Sequence, residues 1–138
     1  MKVRQVMHKG VHAREPSTPV SQIAKLMKSD DIGAVPIVAN GKLVGIVTDR
    51  DIAVRAVAEG RDLAKATARD VMTSGLVCCG EDDEIDEAVR QMEKRKIRRL
   101  PVTNAQEQLV GMLSLGDISH AVGQSISGEL VKAVSAHH

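Results

Sequence analysis

Apolar positions along the chain fall into two helical stripes and several short, strand-sized runs. Val20, Ile23, Ala24 and Met27 stand at i, i+3, i+4 and i+7, and so do Ile85, Ala88, Val89 and Met92. That spacing predicts two amphipathic helices. Thr18-Pro19 opens the first, with Thr as cap and Pro at the first helical position. Asp82 and Asp83 precede the second, and Glu84, Asp86 and Glu87 load its first turn with negative charge, which suits the helix dipole. After each helix an apolar run reads as a strand, Ala34 to Val38 and Arg99 to Thr103. Turns follow at Ala39 to Lys42 and at Asn104 to Gln108, and Asn40-Gly41 is a strong hairpin signal. The returning strands are Leu43 to Val47 and Leu109 to Leu113. Pro36 and Pro101 predict that the first strand of each hairpin lies at an edge or lacks a partner at that point. Further helices are expected from Asp49 to about Glu59 and from Leu115 to about Val122, with Glu59 to Leu63 as a connection. Leu130, Val131 and Val134 suggest one more short helix between Ser127 and Ala136.

The pattern is duplicated. With an offset of 65, Val71-Met72 falls on Val6-Met7, and Ile97 to Pro101 falls on Ile32 to Pro36. One extra loop residue makes the offset 66, and Gly111 to Asp117 then falls on Gly45 to Asp51. A fixed internal period dictates architecture. Each repeat reads β-α-β-β-α, with short leading helices at Val3 to Met7 and Ala68 to Met72. The expected fold class is α/β, of the α+β kind: two repeats with pseudo-two-fold symmetry and small sheets covered by helices. Repeat 1 is assigned to residues 1–62, repeat 2 to 63–124 and a tail to 125–138. A half of about 60 residues would be marginal alone, so one compact, shared domain is expected.

Composition narrows the function classes. With 43% hydrophobic and 27% charged residues, the chain has the make-up of a soluble globular protein. Its 19 basic and 18 acidic residues leave a net charge of +1, which provides no global field for nucleic acid or a membrane surface. Met1 to Met7 has no apolar core run, so no signal peptide is expected, and no apolar run is long enough for a transmembrane helix. Cys78 and Cys79 are adjacent and cannot form a disulfide framework. A cytoplasmic location is expected. His137-His138 reads as the remnant of a tag and is set aside. The chain contains no Phe, Tyr or Trp, so a planar ligand must be gripped by aliphatic and Met side chains. The same absence removes ring platforms for single-stranded nucleic acid.

The repeated chemical motif is Gly-apolar-apolar-Thr/Ser-x-x-Asp, at Gly45 to Asp51 and Gly111 to Asp117. It lies where a strand ends and a helix begins. One reading is structural: Thr48-x-x-Asp51 and Ser114-x-x-Asp117 match a capping pattern. The other is functional. Such a corner offers free N–H groups and a positive dipole end, which favour an anion. The hydroxyl can donate to a phosphate or ribose oxygen, and the carboxylate can accept two hydroxyl hydrogens from a ribose diol. The two readings are compatible if the acid presents one oxygen outward.

These duplicated corners, each after an x-Pro-Val/Ile strand, resemble a tandem pair of cystathionine-β-synthase (CBS) domains, also called a Bateman module. The likeness spans about Val3 to Val122, and Thr48 to Ile52 and Asp70 to Thr73 resemble stand-alone bacterial members. The resemblance implies a module that binds adenosine derivatives (AMP, ADP, ATP, S-adenosylmethionine or NAD) in clefts between repeats, with no cofactor required. It implies that Asp51, Thr48 and Ile46 serve one cleft and Asp117, Ser114 and Met112 the other. Val11, His12, Ile32, Gly33 and Ala34 would complete the Asp117 cleft. Val77 and Cys78, with Ile97, Arg98 and Arg99, would complete the Asp51 cleft. In related modules the positions of Arg98 and Arg99 reach phosphates in the cleft of their own repeat's aspartate, so the Asp117 cleft is expected to hold a phosphorylated adenosine more tightly. Arg50 could add a phosphate contact. A homodimer paired helix-face to helix-face and an unidentified effector protein are also implied. The alternative of a different class is a constitutive homodimerisation scaffold with empty clefts.

Other features carry less. Arg95 to Arg99 reads as a solvated helix end, as a phosphate-binding cluster or, least in keeping with the neutral total, as a nucleic-acid contact. Strand alternation should turn one of Cys78 and Cys79 inward and the other outward. His8, His12 and His120 do not make a metal set of recognised spacing. No nucleophile, base and orienting residue come together in the sequence, so no catalytic activity is expected.

Overall fold

The computed structural model describes residues 1–74 and 78–123. The expected helix in the tail and His137-His138 lie outside the described residues. The chain divides after Val11 and again after Leu76 into two compact units. One contains helix α1 (Val20–Asp30), strands β1 (Ala34–Ala39) and β2 (Lys42–Thr48), a single helical turn α2 (Asp49–Asp51) and helix α3 (Ala68–Val71). The other contains a 3-10 turn (Val3–Gln5), strands β3 (Cys79–Gly80), β4 (Arg99–Thr103) and β5 (Leu109–Ser114), and helices α4 (Ile85–Arg95) and α5 (Leu115–Val122).

The boundaries of the compact units differ from those of the sequence repeats. The leading turn of each repeat packs on the strands of the other. Val3 is fully buried with Ile85, Val89, Leu100 and Leu113. Ala68 and Val71 are fully buried with Val20, Ile23, Val35 and Val47. Equivalent backbone bonds fasten the two segments: Val3 N–H to Asp83 C=O at 2.9 Å and Arg4 N–H to Glu81 C=O at 2.9 Å, then Ala68 N–H to Thr18 C=O at 2.8 Å and Arg69 N–H to Pro16 C=O at 3.0 Å. Further on, His8 and Met112 exchange both backbone bonds, as do Thr73 and Ile46.

Both apolar stripes become helices. Ile85, Ala88, Val89 and Met92 are buried on α4 as predicted; on α1 Val20, Ile23 and Met27 are buried, but Ala24 is exposed and Leu26 is buried instead. Both helices end alike. Asp31 (φ 53°) and Lys96 (φ 56°) take the left-handed conformation, and the following Ile32 and Ile97 N–H groups bond back to Met27 and Met92 at 3.0 Å. This closure satisfies helix-end carbonyls and aims the chain into β1 and β4. Asn40 (φ 54°) and Gly41 (φ 78°) form the β1–β2 turn, with the positive φ values a two-residue hairpin favours.

Across each hairpin the prolines stand at positions without a ladder bond, although the Pro36 carbonyl accepts the Arg14 N–H at 3.1 Å on its other side. Pro36 stands opposite Ile46 and Pro101 opposite Met112. Ile46 turns its N–H and C=O to Thr73, and Met112 turns its own to His8. β4 is the middle strand of β3-β4-β5, yet β3 pairs only with Val102 and Thr103 and leaves Pro101 free of a ladder partner on that side. In the other unit the counterpart of β3 is a single parallel bridge, Arg14 to Ile37.

Two expectations are corrected. Thr18 does not cap α1; Pro19 does, in an extended conformation (ψ 141°), and the helix begins at Val20. The reason is remote: the Thr18 carbonyl is bound by Ala68 of the exchanged segment. The helix expected from Asp49 to about Glu59 is also not uniform. After α2 the residues Ile52–Val57 wind as a π-helix, with Ala58 N–H bonding to Ala53 C=O at 2.9 Å.

The motif glycines sit where the exchanged segments cross. A Cβ on Gly111 would come within 2.8 Å of the His8 carbonyl oxygen, and one on Gly45 within 2.5 Å of the Met72 sulfur and 3.2 Å of the Thr73 carbonyl. A methionine side chain can swing aside more easily than a backbone carbonyl can move. Gly111→Ala is therefore expected to cost about 1–3 kcal/mol by overpacking and Gly45→Ala less, read as thermal midpoints; equal midpoints for both variants and the wild type would remove this account. Cysteine reactivity gives a second test. Cys79 is buried, and burial, reinforced by the Asp83 charge, pushes its thiol up to about 12, while Cys78 is exposed. Iodoacetamide at neutral pH should label one thiol per folded chain, at Cys78, and both after denaturation; mass spectrometry of the peptides decides it.

Candidate functional site

Each strand-to-helix corner is closed by a reciprocal capping box. At the first, Thr48 is extended (φ −105°, ψ 164°) and its Oγ1 accepts the Asp51 N–H at 3.1 Å. Asp51 Oδ2 accepts the Thr48 N–H at 2.9 Å. At the second, Ser114 Oγ accepts the Asp117 N–H at 3.0 Å and Asp117 Oδ2 accepts the Ser114 N–H at 3.2 Å. The structural reading of the motif therefore holds at both places. It uses only one carboxylate oxygen of each aspartate, so the second oxygen decides what else the corner can do.

The second oxygens differ. Asp51 Oδ1 accepts the Thr73 hydroxyl at 3.4 Å, and the Arg55 Nε lies 3.9 Å from it. Asp51 is only 9% exposed. The positions equivalent to Thr73 and Arg55 in the other unit are His8 and Ala121. Asp117 is half-buried, and among the described residues its Oδ1 has no hydrogen-bond partner. The first corner thus turns its acid inward, and the second leaves an acceptor open.

Charge follows the same division. Asp49, one residue before Arg50, takes the Arg50 N–H on its own carboxylate at 2.8 Å. Its counterpart is Leu115, which can accept nothing and carries no charge. The Leu115 N–H bonds to the Arg98 carbonyl at 2.9 Å, and Arg99 stands directly across the ladder from Ser114. Both arginine side chains are exposed. The equivalent places at the first corner are the Gly33 carbonyl, which receives the Asp49 N–H at 3.0 Å, and Ala34 across from Thr48. Arg98 and Arg99 therefore border the Asp117 corner; their places at the Asp51 corner are taken by small residues, where Asp49 adds an acid and the cations are Arg50 and Arg55.

The remaining predicted residues are placed as follows. Ile46 and Met112 are half-buried and carry the bridges to Thr73 and His8. Ile32, Gly33 and Ala34 are half-buried in the unit of Asp51, and Ile97 is half-buried in the unit of Asp117. Val11 is half-buried; His12 is exposed, with its Nδ1 2.5 Å from Asp30 Oδ2. Arg50 and Cys78 are exposed, and Val77 lies outside the described residues. Thr73 and Arg55 were not legible as site residues from the motif alone. Arg55 lies four positions after Asp51, a spacing that places the two on one helical face and carried a signal. Thr73 reaches Asp51 only through the exchanged segment. Among the described residues no group of three or more His, Cys, Asp or Glu side chains is placed to hold a metal ion. No helix among them is long and apolar enough to cross a membrane.

Comparison with known proteins agrees with this geometry. The CBS domain family model matches residues 3–57 and again 68–124. The CBS domain-containing protein YhcV of Bacillus subtilis is 38% identical over 117 residues, covering 85% of this chain and 82% of that protein. The crystal structure of the CBS domain pair of protein MJ0100, in complex with 5-methylthioadenosine and S-adenosyl-L-methionine, superposes with a TM-score of 0.78 at 31% identity, covering 89% of this chain and 96% of that one. That of CBSX2 in complex with AMP gives a TM-score of 0.78 at 26% identity, covering 88% and 95%. With two family matches in register with the two capped corners, the chain belongs to the CBS domain family and is a tandem pair of its repeats.

Proposed function

We propose that the chain is a non-catalytic regulatory module that binds an adenosine-containing compound, with Asp117 accepting the hydroxyls of the ribose. The observation that carries this reading is the open Oδ1 of Asp117, an acceptor left over after the capping box, beside Ser114, Arg98 and Arg99. Two structural neighbours that hold AMP, or S-adenosylmethionine and methylthioadenosine, support the ligand class. The arginines favour a phosphorylated member, AMP, ADP or ATP, through charge-assisted bonds to phosphate oxygens. Met112 and Val11, in the same compact unit as Asp117, supply apolar contacts. Binding acts by favouring one arrangement of the module over another, which an effector protein reads as a shifted population. The module works as a homodimer, which light scattering would register as twice the mass of one chain.

Thermal unfolding with and without AMP, ATP or S-adenosylmethionine tests the reading. Ligand at a hundred times its dissociation constant adds about 2.7 kcal/mol, which is several degrees for a domain of this size. An extrinsic dye or calorimetry is required because the chain has no Trp. Asp117→Asn keeps an acceptor for the cap but loses the charged double acceptor for a diol. It should lose most of the ligand-induced shift while Asp51→Asn keeps it. A larger loss for Asp51→Asn would overturn the assignment, and no shift with any adenosine compound would favour the scaffold with empty clefts.

A further inference from the structure

The Asp51 corner has the full motif, yet the oxygen that a sugar diol would need is already in use. Thr73 donates its hydroxyl to Asp51 Oδ1 at 3.4 Å, and the Arg55 guanidinium lies 3.9 Å from the same atom. Arg55 is itself held in place. Its Nη1 donates to the Met72 carbonyl at 3.2 Å and to Val71 at 3.5 Å, and its own carbonyl accepts Arg61 Nε at 3.0 Å. Arg55 therefore ties the π-helical segment to the end of α3, in the same exchanged segment that delivers Thr73. The carboxylate, a hydroxyl and a cation form one closed set around a mostly buried acid. Among the described residues the other corner has no equivalent set, and Ala121 and His8 occupy the two positions.

We propose that Thr73 and Arg55 latch the Asp51 corner, so that adenosine compounds fill the Asp117 corner first and reach Asp51 only by displacing the latch. The proposal rests on the reading that the corners bind the ribose of such compounds. A diol arriving at Asp51 must share Oδ1 with the Thr73 hydroxyl or displace it, beside a nearby cation, so part of what it gains at the carboxylate is offset. Arg55 and Thr73 are both exposed, and the hydroxyl at 3.4 Å lies closer to Asp51 Oδ1 than the guanidinium at 3.9 Å, so the hydroxyl bond carries more of the latch. Thr73 and Arg55 are thus positioning residues: they act on the ligand through Asp51, and set the order of filling.

Calorimetric titration of the whole chain with AMP, ATP and S-adenosylmethionine in turn tests this. The wild type should show one tight event and a second at least about tenfold weaker. Asp51→Asn should remove only the weak event, which assigns it. Thr73→Val with Arg55→Ala should strengthen the weak event by about tenfold and leave the tight one unchanged. Arg55→Ala alone, a change at an exposed residue, should give part of the gain in a chain whose thermal midpoint stays near that of the wild type. Two equal events in the wild type, or a weak event that does not respond to the double variant, would overturn the latch and leave the binding function standing. No event with any of the three compounds in any variant would overturn the binding function and the latch together.

Discussion

Two reciprocal backbone exchanges, His8 with Met112 and Thr73 with Ile46, hold the arrangement on which the rest depends. In each, two residues far apart in sequence trade both of their hydrogen bonds, at 2.8–3.1 Å. Backbone polar groups must find partners wherever water is excluded. These exchanges supply them on the side of β2 and β5 that faces away from the hairpin partner. Several features follow at once. Pro36 and Pro101 are tolerated because the residues opposite them bond elsewhere. Gly111 leaves room for the His8 carbonyl of the crossing backbone, and Gly45 for the Met72 side chain. Thr73 arrives beside Asp51 because its backbone is pinned one strand away. Without its exchanged segment, each core would also lose fully buried residues, Val3 from one and Ala68 and Val71 from the other. Burial of a single Val is worth about 1.5–3 kcal/mol, so neither sequence repeat completes a stable core from its own residues.

What the sequence made legible was local. The i, i+3, i+4, i+7 stripes became α1 and α4 because the pattern and the packing face are the same object. Asn40-Gly41 became a tight turn because those two residues tolerate positive φ. The corners were legible because a capping box involves only four consecutive residues. The misreadings share one cause, contacts brought from far along the chain. Thr18 looked like a cap, but Ala68 claims its carbonyl and the helix starts later. The turn after Asp51 winds as a π-helix beside Arg55 and Arg61, whose bonds to remote or non-adjacent carbonyls leave no trace in apolar periodicity. Thr73 could have been suspected only by extending the 65-residue alignment one step beyond Val71-Met72 and asking what His8 and Thr73 have in common.

The duplicated motif does not by itself separate a binding corner from a structural one, because both aspartates spend the same oxygen on the same cap. The separation lies outside the motif, in four pairs of equivalent positions: Asp49 and Leu115, Arg55 and Ala121, Thr73 and His8, Gly33-Ala34 and Arg98-Arg99. Thr73 and Arg55 give the first corner internal partners and Asp49 gives it an acid, while Arg98 and Arg99 give the second corner cations.

Of these differences, the valence of the carboxylate outweighs the balance of charge. Exposed ion pairs are worth about 0.2–1 kcal/mol each and are screened over about 8 Å at physiological salt. The exposed Arg98, Arg99, Asp49 and Arg50 therefore tune attraction for phosphate without deciding whether a ligand can bind. A buried acceptor behaves differently. Leaving its partner unsatisfied costs about 1–3 kcal/mol, and Asp51 is the one buried charged side chain among the described residues. Freeing its oxygen for a ligand means first stripping the partners that keep it satisfied. Among the described residues Asp117 Oδ1 has no such partner to strip, and on the proposed reading a ribose meets an acceptor already held in position by its cap. The same four-residue element can therefore be a finished piece of structure at one end of the chain and a prepared binding group at the other, with a hydroxyl and a guanidinium making the difference.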